Sequence, residues 1–377
     1  TISLIGVGLL VLLNLVTIDD FATYIDMDTI ILLFAMMIIN ANLRLAGFFQ
    51  MAANKIVKFA KSPRMLLFLI IILSAILSAI FLNDTICLIL TPFIIDLTIA
   101  LKRNPIPYLI ALATSANIGS TATLTGNPQN MIIGIASGIN YLDFLLALAP
   151  IAIISSFSVF FILMVLYSKE FEKNSFEIDL NLRVRIYKPL LSKSLIIIAG
   201  LLVAFLSGVS VSTAAFIAAA ILLITRRLSP HKVFAEFDWS LLVFFSSLFI
   251  LTGVLNDTGV IQSLFYSWNL ADRLNPTNLT ISSVILSNLV SNVPAVLLMK
   301  QIISQLTNPI PSWLTLASAA TLAGNLTLLG SVANLIVAES ARNRKIHLSF
   351  WEYTRAGVLI TFLSLLIHWI WVTIFIW

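Results

Sequence analysis

The chain has 377 residues, of which 59% are hydrophobic and 10% charged, with a formal net charge of +5; an ordinary soluble domain carries roughly 25% charged residues. That excludes a soluble globule. Nineteen of the 22 lysines and arginines fall in five short clusters, so the basic excess reads as a positive-inside signal of a membrane protein and not as a nucleic-acid surface.

Apolar runs recur from end to end, near 3–16, 29–50, 65–82, 143–167, 195–208, 211–225, 239–256 and 354–376, and about 20 apolar residues span a bilayer. The basic clusters between them are Lys55 to Arg64, Lys102 with Arg103, Lys169 to Lys193, Arg226 to Lys232, and Arg342 to Arg355. Placing every cluster in the cytoplasm gives one self-consistent path through a plasma (inner) membrane, with a cytoplasmic linker at 168–193 and Trp377 outside. A single cysteine, Cys87, excludes an intrachain disulfide framework.

The same order of signals occurs twice. Asp28-Thr-Ile-Ile-Leu-Leu-Phe34 matches Asp238-Trp-Ser-Leu-Leu-Val-Phe244, each leading into a helix broken near a glycine, Gly47 or Gly259. Ser-Ala-Ile-Phe-Leu-Asn83 lines up with Ser-Asn-Leu-Val-Ser-Asn292, and Thr-Leu-Thr-Gly126-Asn-Pro-Gln-Asn130 with Thr-Leu-Leu-Gly330-Ser-Val-Ala-Asn334; the offsets are 210, 209 and 204. The Asn83 hairpin has basic feet, Arg64 and Lys102, whereas the Asn292 hairpin has almost none, so the two are rooted on opposite sides. The expected fold is an all-α integral membrane protein of two inverted-topology repeats, 1–167 and 194–377, each with a helical hairpin and a discontinuous helix. The helix at 195–208 has no counterpart before Thr1, so the pattern predicts a missing first helix in the first half.

Irregular polar backbone at membrane depth is tolerated only inside protein or along a cavity. Four polar islands meet that description: Asn83-Asp84-Thr85, Thr121 to Asn130, Ser287 to Asn292, and Asn325 to Asn334. Each is also a plausible set of helix caps and kinks, since Asn, Asp and Thr are ordinary N-cap residues; four islands in matched pairs at opposed orientation favour a solute site at the midplane. Asp84 is the sharpest residue, because an intramembrane carboxylate is costly and can bind a proton or a cation. Its counterpart is Val293. Asp96, Arg44, Asp257 and Lys300 are weaker candidates that can snorkel from helix ends. His231, His347 and His368 lack metal-ligand spacing, and no nucleophile or phosphate-loop motif is present, so neither an enzyme nor a cofactor is expected.

Phe-Leu-Asn83-Asp84-Thr85 with Thr-Gly126-Asn127-Pro128-Gln129-Asn130, repeated in altered form as Ser-Asn292-Val-Pro294 and Leu-Gly330-Ser331-Val-Ala-Asn334, resembles the arsenite permease and anion permease branch of the ion transporter superfamily. That superfamily also holds divalent-anion/sodium symporters and sodium/proton antiporters. The resemblance implies a scaffold, a mobile transport region with two re-entrant hairpins, elevator-like displacement, and dimerisation through the scaffold. It also implies solute contacts at Asn83, Thr85, Thr125, Gly126, Asn127, Asn130, Ser291, Asn292, Gly330, Ser331 and Asn334, with Asp84 as the ion-coupling residue. The first tip reads Asn-Asp-Thr where the symporters have Ser-Asn-Thr, and the second continues with Val-Pro. These departures argue against the symporters' sodium sites and dicarboxylate recognition.

Islands rich in Asn, Thr and Ser and poor in Arg and Lys suit a small oxyanion or a metalloid hydroxide such as arsenite, antimonite or a silicate-like species. The leading expectation is efflux in exchange for protons. A sodium/proton antiporter and a sodium-coupled di-anion symporter remain as alternatives, and a channel would need a continuous polar stripe that these islands do not form.

Overall fold

The computed structural model describes residues 2–172, 186–224, 229–260, 263 and 275–377. Its described part is built of α-helices with no strand. Along the chain these are α1 (Ile2–Leu12), α2 (Phe21–Tyr24), α3 (Met27–Ala46), α4 (Phe48–Val57), α5 (Pro63–Ile80), α6 (Asn83–Ala100), α7 (Pro105–Ser120), α8 (Pro128–Ser137), α9 (Tyr141–Leu166) and α10 (Ser168–Phe171). They continue as α11 (Lys188–Leu206), α12 (Val211–Leu223), α13 (Pro230–Phe234), α14 (Trp239–Asp257), α15 (Pro276–Val290), α16 (Asn292–Ile303), α17 (Ile310–Ala323), α18 (Val332–Asn343) and α19 (Phe350–Phe375). Among the described residues seven of these helices are long and apolar enough to cross a membrane. Large apolar side chains such as Phe161, Val165 and Phe362 stand exposed on α9 and α19, as expected where lipid is the solvent.

Local sequence explains the helix ends. Ser62, Asn104, Asn127 and Asn275 each cap a helix whose first residue is proline, a ring that fits the first turn because its missing N–H has no intrahelical partner there. Gly47 closes α3 in the left-handed conformation, φ 79°, which separates α4 from what is one apolar run in the sequence. Of the 168–193 segment expected as a linker, residues 173–185 lie outside the described residues; Ser168–Phe171 form α10, and Lys188 already opens α11.

The packing has a recurring pattern. The first arm of each hairpin lies against the broken helix of its own half, α5 on α7 and α15 on α17. The second arm lies against the restarted helix of the other half, α6 on α18 and α16 on α8. The long closing helices α9 and α19 pack together, and α3 packs on α12. One continuous apolar core runs from Leu32 to Val372. The polar islands therefore meet in the middle of the molecule.

Candidate functional site

Four helices start at this centre: α6 at Asn83, α8 after its cap Asn127, α16 after Ser291 and α18 after its cap Ser331. Opposite them α7 and α17 stop, leaving carbonyls without helical partners. Side chains from the restarted helices meet those carbonyls. Asn130 Nδ2 donates to the Ser120 and Thr123 carbonyls at 3.1 and 2.9 Å, and Asn334 Nδ2 donates to the Gly324 and Thr327 carbonyls at 2.8 and 3.1 Å. Donor and both acceptors recur at the 204-residue offset read from the sequence. Gly126 and Gly330 follow the same register: a Cβ on Gly126 would sit 2.4 Å from the Ser120 carbonyl oxygen, and one on Gly330 2.8 Å from that of Gly324. Both chain breaks need glycine because the backbone turns back onto itself.

Reciprocal hydrogen bonds then join the halves. Asn127 Nδ2 donates to Thr321 Oγ1 at 3.3 Å, and Ser331 Oγ donates to Asn117 Oδ1 at 3.1 Å; Asn127 and Ser331 correspond, as do Asn117 and Thr321. Asn117 Oδ1 also accepts from Asn83 Nδ2 at 2.9 Å, while its Nδ2 donates to Asn325 and Asn334 Oδ1 at 2.8 and 3.2 Å. The first tip is pinned further by the Asn83 N–H donating to the Gly126 carbonyl at 3.0 Å. At the second tip Ser287 Oγ donates to Asn292 Oδ1 at 2.8 Å. Ser291 there has φ 77° and ψ 161°, a region otherwise left almost entirely to glycine and tolerated where surrounding structure enforces it.

A cavity of about 280 Å³ opens between the tips. Asn83, Asp84, Gln129, Asp238, Ser291, Asn292 and Ser331 give it polar groups, and Phe244, Phe245 and Val293 give it apolar walls. Among the described residues no lysine, arginine or histidine lines it. Asn83 Oδ1 is buried without a protein partner among the described residues and is free to accept from a solute. First-turn N–H groups of helices starting at the tips add donors. A smaller cavity of about 110 Å³ adjoins and shares Asp84, Asp238, Leu241 and Val332 with it. Asp238 caps α14, accepting from the Leu241 N–H at 3.3 Å and from Ser240 Oγ at 2.6 Å. Among the described residues no three His, Cys, Asp or Glu side chains come together as a metal site, and no basic side chain pairs with Asp84.

Of the residues singled out in the sequence, Asn83, Asp84, Ser291, Asn292 and Ser331 line the larger cavity and Thr85 the smaller. Gly126, Asn127, Asn130, Gly330 and Asn334 form the frame behind them. Thr125 is turned away, its hydroxyl 3.4 Å from that of Tyr141. The weaker candidates are all paired: Arg44 with Glu236 at 3.0 Å, Asp257 with Tyr24 at 2.7 Å, Lys300 with Asp26 at 3.5 Å, and Asp96 with Arg344. Sequence reasoning missed Asn117, Thr321 and Asp238 as members of the site. The first two were reachable by extending the 204-residue register backwards from Gly126 and Gly330, and Asp238 was visible only as the repeat counterpart of Asp28.

The profile of a family described as citrate transporters (CitMHS) matches residues 1–314. The chain belongs to this citrate transporter family. Within reach of the family are the silicon efflux transporter LSI3 of Oryza sativa subsp. japonica, 31% identical over 94% of this chain and 88% of its own length, and a 46 kDa membrane protein of Mycobacterium leprae, 32% identical over 96% and 90%. A Dictyostelium discoideum protein named arsB is 28% identical over 97% and 85%. The fold is similar to that in the crystal structure of the Alcanivorax borkumensis YdaH transporter, with a TM-score of 0.66 at 14% identity over 95% of this chain and 87% of that one. As a member of the citrate transporter family the chain is an all-α integral membrane transporter and not an enzyme.

Proposed function

We propose that this transporter moves a small neutral polyhydroxyl solute of the metalloid-hydroxide type, arsenite-like or silicate-like, outward in exchange for protons bound at Asp84. The cavity wall carries the reading: among the described residues it offers amides, hydroxyls, helix N–H groups and two carboxylates, and no cationic side chain. A tricarboxylate or divalent oxyanion entering beside Asp84 and Asp238 would meet like charge in a low-dielectric site. A neutral hydroxide both donates to the carboxylates and accepts from the helix N–H groups. The silicon efflux name of one relative agrees with this choice, and the family description of citrate does not decide against it, since solute preference resides in the site and not in the fold.

The same reading takes the two halves, 1–167 and 194–377, as inverted repeats with the basic clusters in the cytoplasm. The hairpins α5–α6 and α15–α16, with α7–α8 and α17–α18, form the moving region, and α3, α9, α14 and α19 form the scaffold against which it is displaced. Asp84 travels; Asp238, on α14, stays. A sodium/proton antiporter is the second reading, favoured by the two carboxylates facing shared space.

Liposomes containing the purified protein test both. Arsenite or silicate, but not citrate, sulfate or succinate, should trigger proton movement, and Asp84→Asn should remove it. Proton release driven by sodium with no solute present would replace the exchanger by the antiporter.

A further inference from the structure

The smaller cavity is built unlike the solute cavity. It lies between α3, the start of α6, the α13–α14 junction and the start of α18, and Asn40, Thr85, Asp84, Asp238 and the Arg44–Glu236 pair supply its polar groups. Asn40 is 3% exposed, and neither its Oδ1 nor its Nδ2 has a protein partner among the described residues. A buried amide with both ends unmatched is unfavourable unless water or an ion meets it. The surrounding Met37, Ala41, Leu88 and Ile336 offer nothing in their place. The volume of about 110 Å³ has room for a short file of waters.

The charged groups facing this space are Arg44 from α3, Glu236 and Asp238 from the α13–α14 junction, and Asp84 from α6; α18 contributes Val332 and Ile336. Arg44 is held by Glu236 at 3.0 Å. Its charge is thereby matched at the mouth, leaving the interior acidic and amide-lined. We propose that the coupling cation, a proton carried on water or a sodium ion, reaches Asp84 through this second cavity with Asn40 as its relay, while the solute occupies the larger one. The proposal rests on the exchange reading above. Two entries to one carboxylate let ion and solute arrive without passing each other.

The test uses arsenite in proteoliposomes and compares gradient-driven accumulation with arsenite–arsenite counterflow, which needs no net ion movement. In Asn40→Leu, gradient-driven accumulation should fall roughly a hundredfold, the scale of a lost proton-transfer step, while counterflow stays within about twofold. Asn40→Ser should restore accumulation. Ala41→Leu, which fills the cavity without removing a polar group, should reproduce the Asn40→Leu pattern. Running the assay with a proton gradient and with a sodium gradient identifies which cation uses the route, and either supports it. If accumulation and counterflow fall together, or if both filled variants keep gradient-driven accumulation, the separate route is overturned and the exchanger stands. If the wild type accumulates arsenite under neither gradient, the exchange reading itself fails and takes this inference with it.

Discussion

Asn117 uses its whole hydrogen-bonding capacity: two acceptances at Oδ1, from Asn83 and Ser331, and two donations from Nδ2, to Asn325 and Asn334. It is 1% exposed, so replacement by alanine leaves groups on both halves unmatched where water cannot substitute, at about 1–3 kcal/mol for each orphaned group. Asn117→Ala should lower the thermal unfolding midpoint in detergent by several degrees and weaken solute binding, since the Asn83 amide loses its anchor. Ser115, buried on the same helix with its hydroxyl unpartnered among the described residues, is the control, and Ser115→Ala should leave the midpoint unchanged. Single residues differ sharply in how far sequence discloses them. Asp84 is conspicuous because a carboxylate interrupts an apolar run. Asn117 is not, because its partners lie 208 and 217 positions away and no local pattern names them.

At the scale of elements, α5 and α7 approach so closely that a Cβ on Gly119 would fall 2.2 Å from the Ala75 carbonyl oxygen and 2.4 Å from its Cα. Small residues permit this contact between membrane helices, and Thr123 Oγ1, just past α7, adds a donation to the Ala79 carbonyl. Gly119→Ala must therefore move backbone against backbone, and little folded protein should be recovered by size-exclusion chromatography from membranes. Gly200 on α11 has open space around it, and Gly200→Ala should be neutral or stabilising by about 0.5–1 kcal/mol. The tips and chain breaks are legible in the sequence because proline, glycine and asparagine cluster there. The hairpin arm α15 and the helices α7 and α17 are less so. α7 is buried in protein along nearly its whole length, hence small polar residues replace the lipid-facing apolar ones that a hydropathy reading relies on. α10 and α13, of four and five residues, are too short for a periodicity to develop.

For the molecule as a whole, the halves are interlocked by the Asn127–Thr321 and Ser331–Asn117 hydrogen bonds, so the tips travel as one body in the proposed cycle. Every helix that starts at the site follows one that ends there: α6 after α5, α8 after α7, α16 after α15 and α18 after α17. The partial charges of these ends oppose one another, which leaves Asp84 as the formal charge that the tips carry. In the proposed exchange the cycle is consequently electrogenic on one leg only. Moving outward with a neutral solute, the region bears an ionised carboxylate, and an inside-negative potential favours that step by about 2.3 kcal/mol per 100 mV for a full crossing. Moving inward with Asp84 protonated, it is neutral and indifferent to voltage. A potassium diffusion potential, negative inside, should accelerate arsenite exit from liposomes with no pH difference imposed, and Asp84→Asn should abolish the response. In the proposed exchange the membrane battery thus acts directly on the cargo step, and the proton gradient acts on resetting the carrier.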